Sequence, residues 1–208
     1  PVFHFGEMAA ALGKTEHGQW QLTTDTGLII TAPVLVIAAG GGSFVPKPPP
    51  IPGIEGYEGK SVFYAVRRIE EFRGRHIVIA GGGDSALDWT VNLAPIAGSL
   101  TLLHRRPDFR AAPATVSKMR ELGAEGLVRF ELGQPVGLKG ADGKLEAVAV
   151  KRMDGSTGEI AADTLLPFFG LTMKLGPIAN FGLNLNENLI PVDTEKFETG
   201  TKGIFAIG

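Results

Sequence analysis

Six consecutive residues, Gly81-Gly82-Gly83-Asp84-Ser85-Ala86, have the clearest chemical purpose in this sequence. They follow an apolar run, His76–Ala80, and precede a segment of helical pattern that reaches about Ala94, where Pro95 marks its end. The string reads G-x-G-x-x-A. Gly81 permits a tight turn, and Gly83, with no Cβ, lets a pyrophosphate approach the backbone. Ala86 lets the helix pack close to the strand. The N–H groups at the start of the helix then bind phosphate. Such a string alone is a weak signal, but between a strand and a helix it points to a dinucleotide site.

The second half of the signal lies at the end of the next apolar strand. A NAD site shows an Asp or Glu about 20 residues after the glycines, for the ribose 2′-hydroxyl. Here Leu100–Leu103 runs into His104-Arg105-Arg106, with Arg110 four residues further on, and no carboxylate stands at the strand end. Three arginines and a histidine suit a 2′-phosphate, and so NADP rather than NAD. Each charge-assisted contact contributes about 1.5–3 kcal/mol before solvent screening. The same run would otherwise be a solvated basic turn. Its coincidence with the adenosine-ribose position favours the cofactor.

Other chemistry finds less support. Asp84 and Asp88 could be read as a carboxylate pair. More simply, Asp84 or Ser85 caps the helix, and Asp84 meets its positive end. Ser85 lies at the turn itself and no histidine has a reason to face it, so there is no Ser-His-Asp arrangement. His4, His17 and His76 read as structural or exposed residues. Trp89 and Leu93 share a helix face and read as core.

The 208 residues suffice for one large domain or two small ones, and 44% apolar against 20% charged residues supports a buried core. A net charge of −2 gives no reason to expect a nucleic-acid binder. The chain has no cysteine, which excludes disulfides, thiol nucleophiles and thiolate metal sites within it, and four scattered histidines make a metal site improbable. No apolar run is long enough to span a bilayer, and no export signal opens the chain.

The pattern along the chain predicts an α/β organisation. Gln19–Thr24 and Leu28–Thr31 flank Asp25-Thr26-Gly27 as a hairpin, and Val34–Ala39 is a continuous apolar strand ending in Gly40-Gly41-Gly42. Pro46 to Pro52 reads as a stiff, extended linker and a domain boundary. A short helix over Arg68–Phe72, the strand His76–Ala80, the helix from Asp84, the strand Leu100–Leu103 and a helix over Pro113–Leu122 follow. Then Leu127–Leu132, Leu145–Lys151 and Glu159–Phe169 read as strands, giving a βαβ unit with an added meander. The chain opens on Pro1 and closes on the apolar Gly203–Gly208, which together suggest a fragment trimmed at both ends.

The whole chain resembles the thioredoxin-reductase-like ferredoxin/flavodoxin–NADP reductases, a family of FAD proteins. The likeness is carried by Ile37–Phe44, Tyr57–Lys60, Gly81–Trp89, Leu103–Ala111, Phe168–Leu171, Gly176-Pro177-Ile178 and Gly203–Gly208, in that order and spacing. It implies a Rossmann-like NADP-binding domain with a β-meander, inserted in a split FAD-binding domain. Residues 1–47 would be the rear of the first FAD segment, 48–168 the NADP domain and 169–208 the start of the returning FAD segment. By position, Met8 would offer backbone to the FAD adenine. Ala38, Ala39 and Gly40 would lie near its pyrophosphate, and Phe44 near the flavin. Gly81, Gly83, Asp84, Ser85, Ala86, His104, Arg105, Arg106 and Arg110 would hold NADP.

The resemblance further implies hydride transfer between NADPH and FAD, then single-electron transfer to ferredoxin or flavodoxin, by a cytoplasmic homodimer without a membrane or nucleic-acid partner. Thioredoxin reductase, a close relative, carries C-x-x-C where this sequence has Tyr64-Ala65-Val66-Arg67, so a disulfide substrate has no route within this chain. An NADP(H)-binding module without turnover, and another FAD/NADPH oxidoreductase of the same plan, remain as alternatives.

Overall fold

The computed structural model describes all residues, 1–208, as two compact units. Residues Pro1–Val45 and Leu171–Gly208 form the first, and Pro46–Gly170 the second. The boundaries that the family resemblance implies, 47/48 and 168/169, each lie two residues from these.

In the first unit, β1 (Ala9–Lys14), β2 (Trp20–Thr24) and β3 (Ile29–Ala32) form an antiparallel three-stranded sheet. Gly27, at φ 89°, makes the turn between β2 and β3 possible. Next come β4 (Leu35–Ile37) and β5 (Ser43–Pro46). The apolar run Val34–Ala39 therefore yields only three residues of strand. Ala38 and Ala39 lie outside it, exposed.

The second unit begins with two single-turn helices, Ile54–Gly56 and Ile69–Phe72. The proline-rich stretch before them is no free linker, because Ile51 within it is buried in this unit's core beside Ile54. Then follow β6 (His76–Ala80), α1 (Asp84–Leu93), β7 (Ser99–His104), α2 (Pro113–Ala124) and β8 (Arg129–Ala141). After β8 come β9 (Lys144–Arg152), β10 (Thr157–Ala161) and β11 (Thr164–Pro167). The strands make one sheet of order β10-β9-β8-β7-β6-β11. Pairing is parallel from β8 to β11 and antiparallel from β8 to β10. This is a Rossmann-like β-α-β-α-β core with a meander.

Alternation along β6 explains the layers. Ile77 and Ile79 join Leu87, Leu93, Met119 and Leu122 of the helices. Val78 and Ala80 pack with Leu145, Val148, Val150 and Ile160 of the meander. In α1 the buried residues Ala86, Leu87, Thr90 and Leu93 mark one face at helical spacing, while Trp89 is only partly buried.

The stretch Glu159–Phe169, expected as one strand, is two strands on opposite edges of the sheet. Asp163 separates them. Its N–H donates to the His76 carbonyl and its Oδ2 accepts the His76 N–H at 3.0 Å, which starts β11 beside β6. The chain closes in the first unit. β12 (Leu171–Lys174) pairs with β5, and β13 (Ile204–Ala206) runs parallel to β4. No helix is long and apolar enough to cross a membrane.

Candidate nucleotide-binding site

The carboxyl ends of β6 and β7 open onto a cavity of about 690 Å³ in the second unit. Its lining includes Gly81, Gly82, Gly83, His104, Arg105, Arg106, Phe109 and Arg110. Residues Gln134 to Val136 of β8 and Phe168 to Gly170 complete the walls. The crevice beyond the carboxyl ends of parallel strands is where α/β sheets receive ligands.

Each glycine of the turn has its own reason. A Cβ on Gly81 would stand 2.7 Å from the Phe168 carbonyl oxygen and 2.9 Å from the Ala86 Cβ, so strand and helix meet there with no room for a side chain. Nothing lies within 4 Å of a Cβ on Gly83, so the space beside it is open to a ligand. A Cβ on Gly82 would collide with the His104 imidazole. The sequence motif treats that position as a spacer and missed this close approach.

Gly83 is the N-cap of α1, and no side chain caps the helix. The expected cap by Asp84 or Ser85 is therefore corrected. Asp84 reaches away from the first turn, and its Oδ1 accepts the Ala112 N–H at 2.9 Å. Asp88 likewise takes the Thr115 hydroxyl at 3.3 Å. These two carboxylates fasten α1 to the start of α2 and form no acid–base pair. Asp84 and Ser85 are exposed and, like the buried Ala86, do not line the cavity.

Arg105, Arg106 and Arg110 are exposed, and no carboxylate lies within ion-pair reach of any of them. Three unpaired guanidinium groups at one cavity rim make a positive field suited to a phosphate monoester. His104 differs from them. It is partly buried and stacked on Phe109 at 5.4 Å, and Phe109 in turn lies 5.2 Å from Phe130. Burial lowers its pKa, the Arg105 and Arg106 charges lower it further, and the Asp108 backbone opposes them. His104 thus supplies a neutral ring at neutral pH rather than a fourth cation. Phe109 is a lining residue that its place between the arginines could have signalled.

Met8, Ala38, Ala39, Gly40 and Phe44 all belong to the first unit. Met8 donates its N–H to Asp25 Oδ1 at 2.9 Å, and its carbonyl accepts the Asp25 N–H. Both of its main-chain groups are therefore engaged, and its exposed side chain is what remains free. Ala38 and Ala39 line an apolar cleft of about 220 Å³ with Ile37, Ile178 and Phe181. Gly40, at φ 53°, has nothing within 4 Å of its Cβ position. Phe44 is exposed, and its ring lies 3.0 Å from where a Gly41 Cβ would be. No group of His, Asp and Glu is placed to hold a metal ion.

The chain is 62% identical to a ferredoxin–NADP reductase of Parvibaculum lavamentivorans, over 100% of this chain and 61% of that protein. Against a ferredoxin–NADP reductase of Beijerinckia indica the identity is again 62%, with the same coverage. It therefore spans about 61% of the length of these relatives. Among solved structures it is similar to Lactococcus lactis thioredoxin reductase, at TM-score 0.78 and 26% identity, over 97% of this chain and 65% of that one. Residues 7–208 match the description pyridine nucleotide-disulphide oxidoreductase. That match takes in the glycine turn, the arginine loop and both units, and the chain belongs to the pyridine nucleotide-disulphide oxidoreductase family.

Proposed function

We propose that the cavity of the second unit binds NADP(H), and that this chain is part of a flavin-dependent ferredoxin–NADP reductase. The observation that carries the reading is the set of three unpaired arginines beside an open glycine turn. The space at Gly83 and the uncapped start of α1 fit a pyrophosphate. Arg105, Arg106 and Arg110 fit a 2′-phosphate, with Phe109 and the neutral His104 ring holding their loop.

The first unit suits a second nucleotide cofactor, FAD. Gly40 leaves open space for a phosphate, Ala38 and Ala39 offer a small-residue wall, and Phe44 an exposed ring. Met8 enters this reading through its side chain alone. When bound, the nicotinamide supplies a hydride and the flavin divides the electron pair for a one-electron carrier. This chain's own residues bind and orient, and no general acid or base is assigned.

The relatives' name supports ferredoxin as the acceptor. Flavodoxin as an alternative acceptor, a homodimer and a cytoplasmic setting rest on the family resemblance alone. Binding of NADPH and NADH to the chain, followed by calorimetry, tests the nucleotide reading. NADPH should bind roughly a hundredfold more tightly, and Arg105→Ala or Arg106→Ala should each remove about tenfold of that preference. Equal affinities would sink it. In a longer protein of the relatives' length, NADPH-driven reduction of ferredoxin tests the activity, and a yellow protein inert toward ferredoxin would refute the acceptor.

A further inference from the structure

The loop that carries the arginines is anchored on its inner side by Phe109, which stacks on His104 and packs against the core. It leaves β7 after His104 and enters α2 at Pro113, with no regular structure between them. Its three arginines make no ion pairs, so their guanidinium groups do not anchor it. Two bonds tie it to the glycine turn instead. The Arg110 N–H donates to the Gly82 carbonyl at 2.7 Å, and the Ala112 N–H donates to Asp84 Oδ1 at 2.9 Å.

The second bond joins the start of α1 to the loop. Asp84 is the first residue of α1, beside the open space at Gly83. Its bond to Ala112 gives that carboxylate a partner on the arginine loop. We propose that Asp84 is a positioning residue for 2′-phosphate recognition, holding the arginine loop in register with the glycine turn through the Ala112 N–H. The proposal rests on the reading of this cavity as an NADP(H) site. Asp84 touches no phosphate in it. It sets the distance between the group that receives the pyrophosphate and the groups that receive the 2′-phosphate.

Adenosine 2′,5′-bisphosphate and 5′-AMP differ only by the 2′-phosphate, so the ratio of their affinities for the chain reads its recognition. Asp84→Ala should lower that ratio about tenfold, the worth of one hydrogen bond to a charged group. Asp84→Asn should keep it, because the amide carbonyl still accepts the Ala112 N–H. Ala112→Pro provides a second route. Ala112 has φ −54° and ψ 133°, which proline adopts, so the substitution deletes the N–H and leaves Asp84 intact. It should reproduce the loss, and it decides the matter if Asp84→Ala does not fold. An unchanged ratio in Asp84→Ala or Ala112→Pro, or no retention in Asp84→Asn, would overturn the positioning role. A parent chain that does not distinguish the two ligands would overturn the NADP(H) reading itself, and this proposal with it.

Discussion

The His104 imidazole fills the space in which a Cβ on Gly82 would stand, and it stacks on the Phe109 ring at 5.4 Å with the planes 22° apart. The middle glycine of the turn is therefore needed to make room for a neighbour's ring, although its own φ is not positive.

Gly82→Ala is accordingly expected to displace His104 and, through Phe109, the loop that bears Arg105 and Arg106. Overpacking of this kind costs about 1–3 kcal/mol. If the loop moves to relieve it, NADPH affinity should fall about tenfold, a loss worth about 1.4 kcal/mol. Calorimetric titration of the variant beside the parent chain measures it, and an unchanged affinity would show that the ring and the loop are independent.

The lowered pKa of His104 carries a sign for stability. Burial disfavours the imidazolium in the folded chain, so the folded pKa lies below the ordinary 6.5 and the unfolded chain takes up its proton first. The stabilisation is present above pH 6.5 and is lost as the pH falls through the folded value. Urea midpoints measured at about pH 7.5 and about pH 5.5 should therefore fall on acidification. His104→Gln should reduce that fall. If the variant and parent lose stability equally, another group titrates in this window.

Much of this arrangement can be read from residue types, for physical reasons. His76–Ala80 is an apolar run stopped by glycines, and it forms a strand over those same residues. The helix from Pro113 starts where a proline fits a first turn. What local pattern does not carry is long-range pairing. Nothing within Glu159–Phe169 says that its two halves join different partners, because that choice is made by His76 through Asp163. The Asp84 cap failed for a similar reason: an N–H 28 residues away competes for the carboxylate. The neutral state of His104 depends on burial, which the run of cations around it conceals.

The unpaired arginines predict a salt dependence. Exposed charges are screened beyond a Debye length of about 10 Å at 0.1 M ionic strength, so raising salt to about 0.5 M should weaken NADPH binding severalfold. NADH, lacking the 2′-phosphate, should respond much less. Titrations of both ligands at the two ionic strengths separate this from a general effect on the fold. Parallel losses for the two nucleotides would remove the arginines from 2′-phosphate recognition.

On β8, N-terminal to the residues that line the cavity, the Glu131 side chain is 8% exposed, and its Oε1 accepts both Nε and Nη2 of Arg152 at 2.7 Å. Arg129 Nη2 stands 3.1 Å from Oε2, yet that oxygen accepts no hydrogen bond. On β10, a Cβ at Gly158 would lie against the Arg152 guanidinium, so the missing side chain there makes room for the pair. The two cations are unequal. Arg152 is one-third exposed and loses its partner if Glu131 is removed, whereas Arg129 is 68% exposed and returns to water. Glu131→Ala should therefore cost about 1.5–3 kcal/mol, and Arg129→Ala less than about 1 kcal/mol. Urea denaturation with an unchanged slope reads both. Glu131→Gln tests the cause, since it keeps an acceptor for Arg152 and removes the charge. Retention of most of the stability would assign the effect to the hydrogen bonds, and a loss equal to that of alanine would assign it to the buried charge.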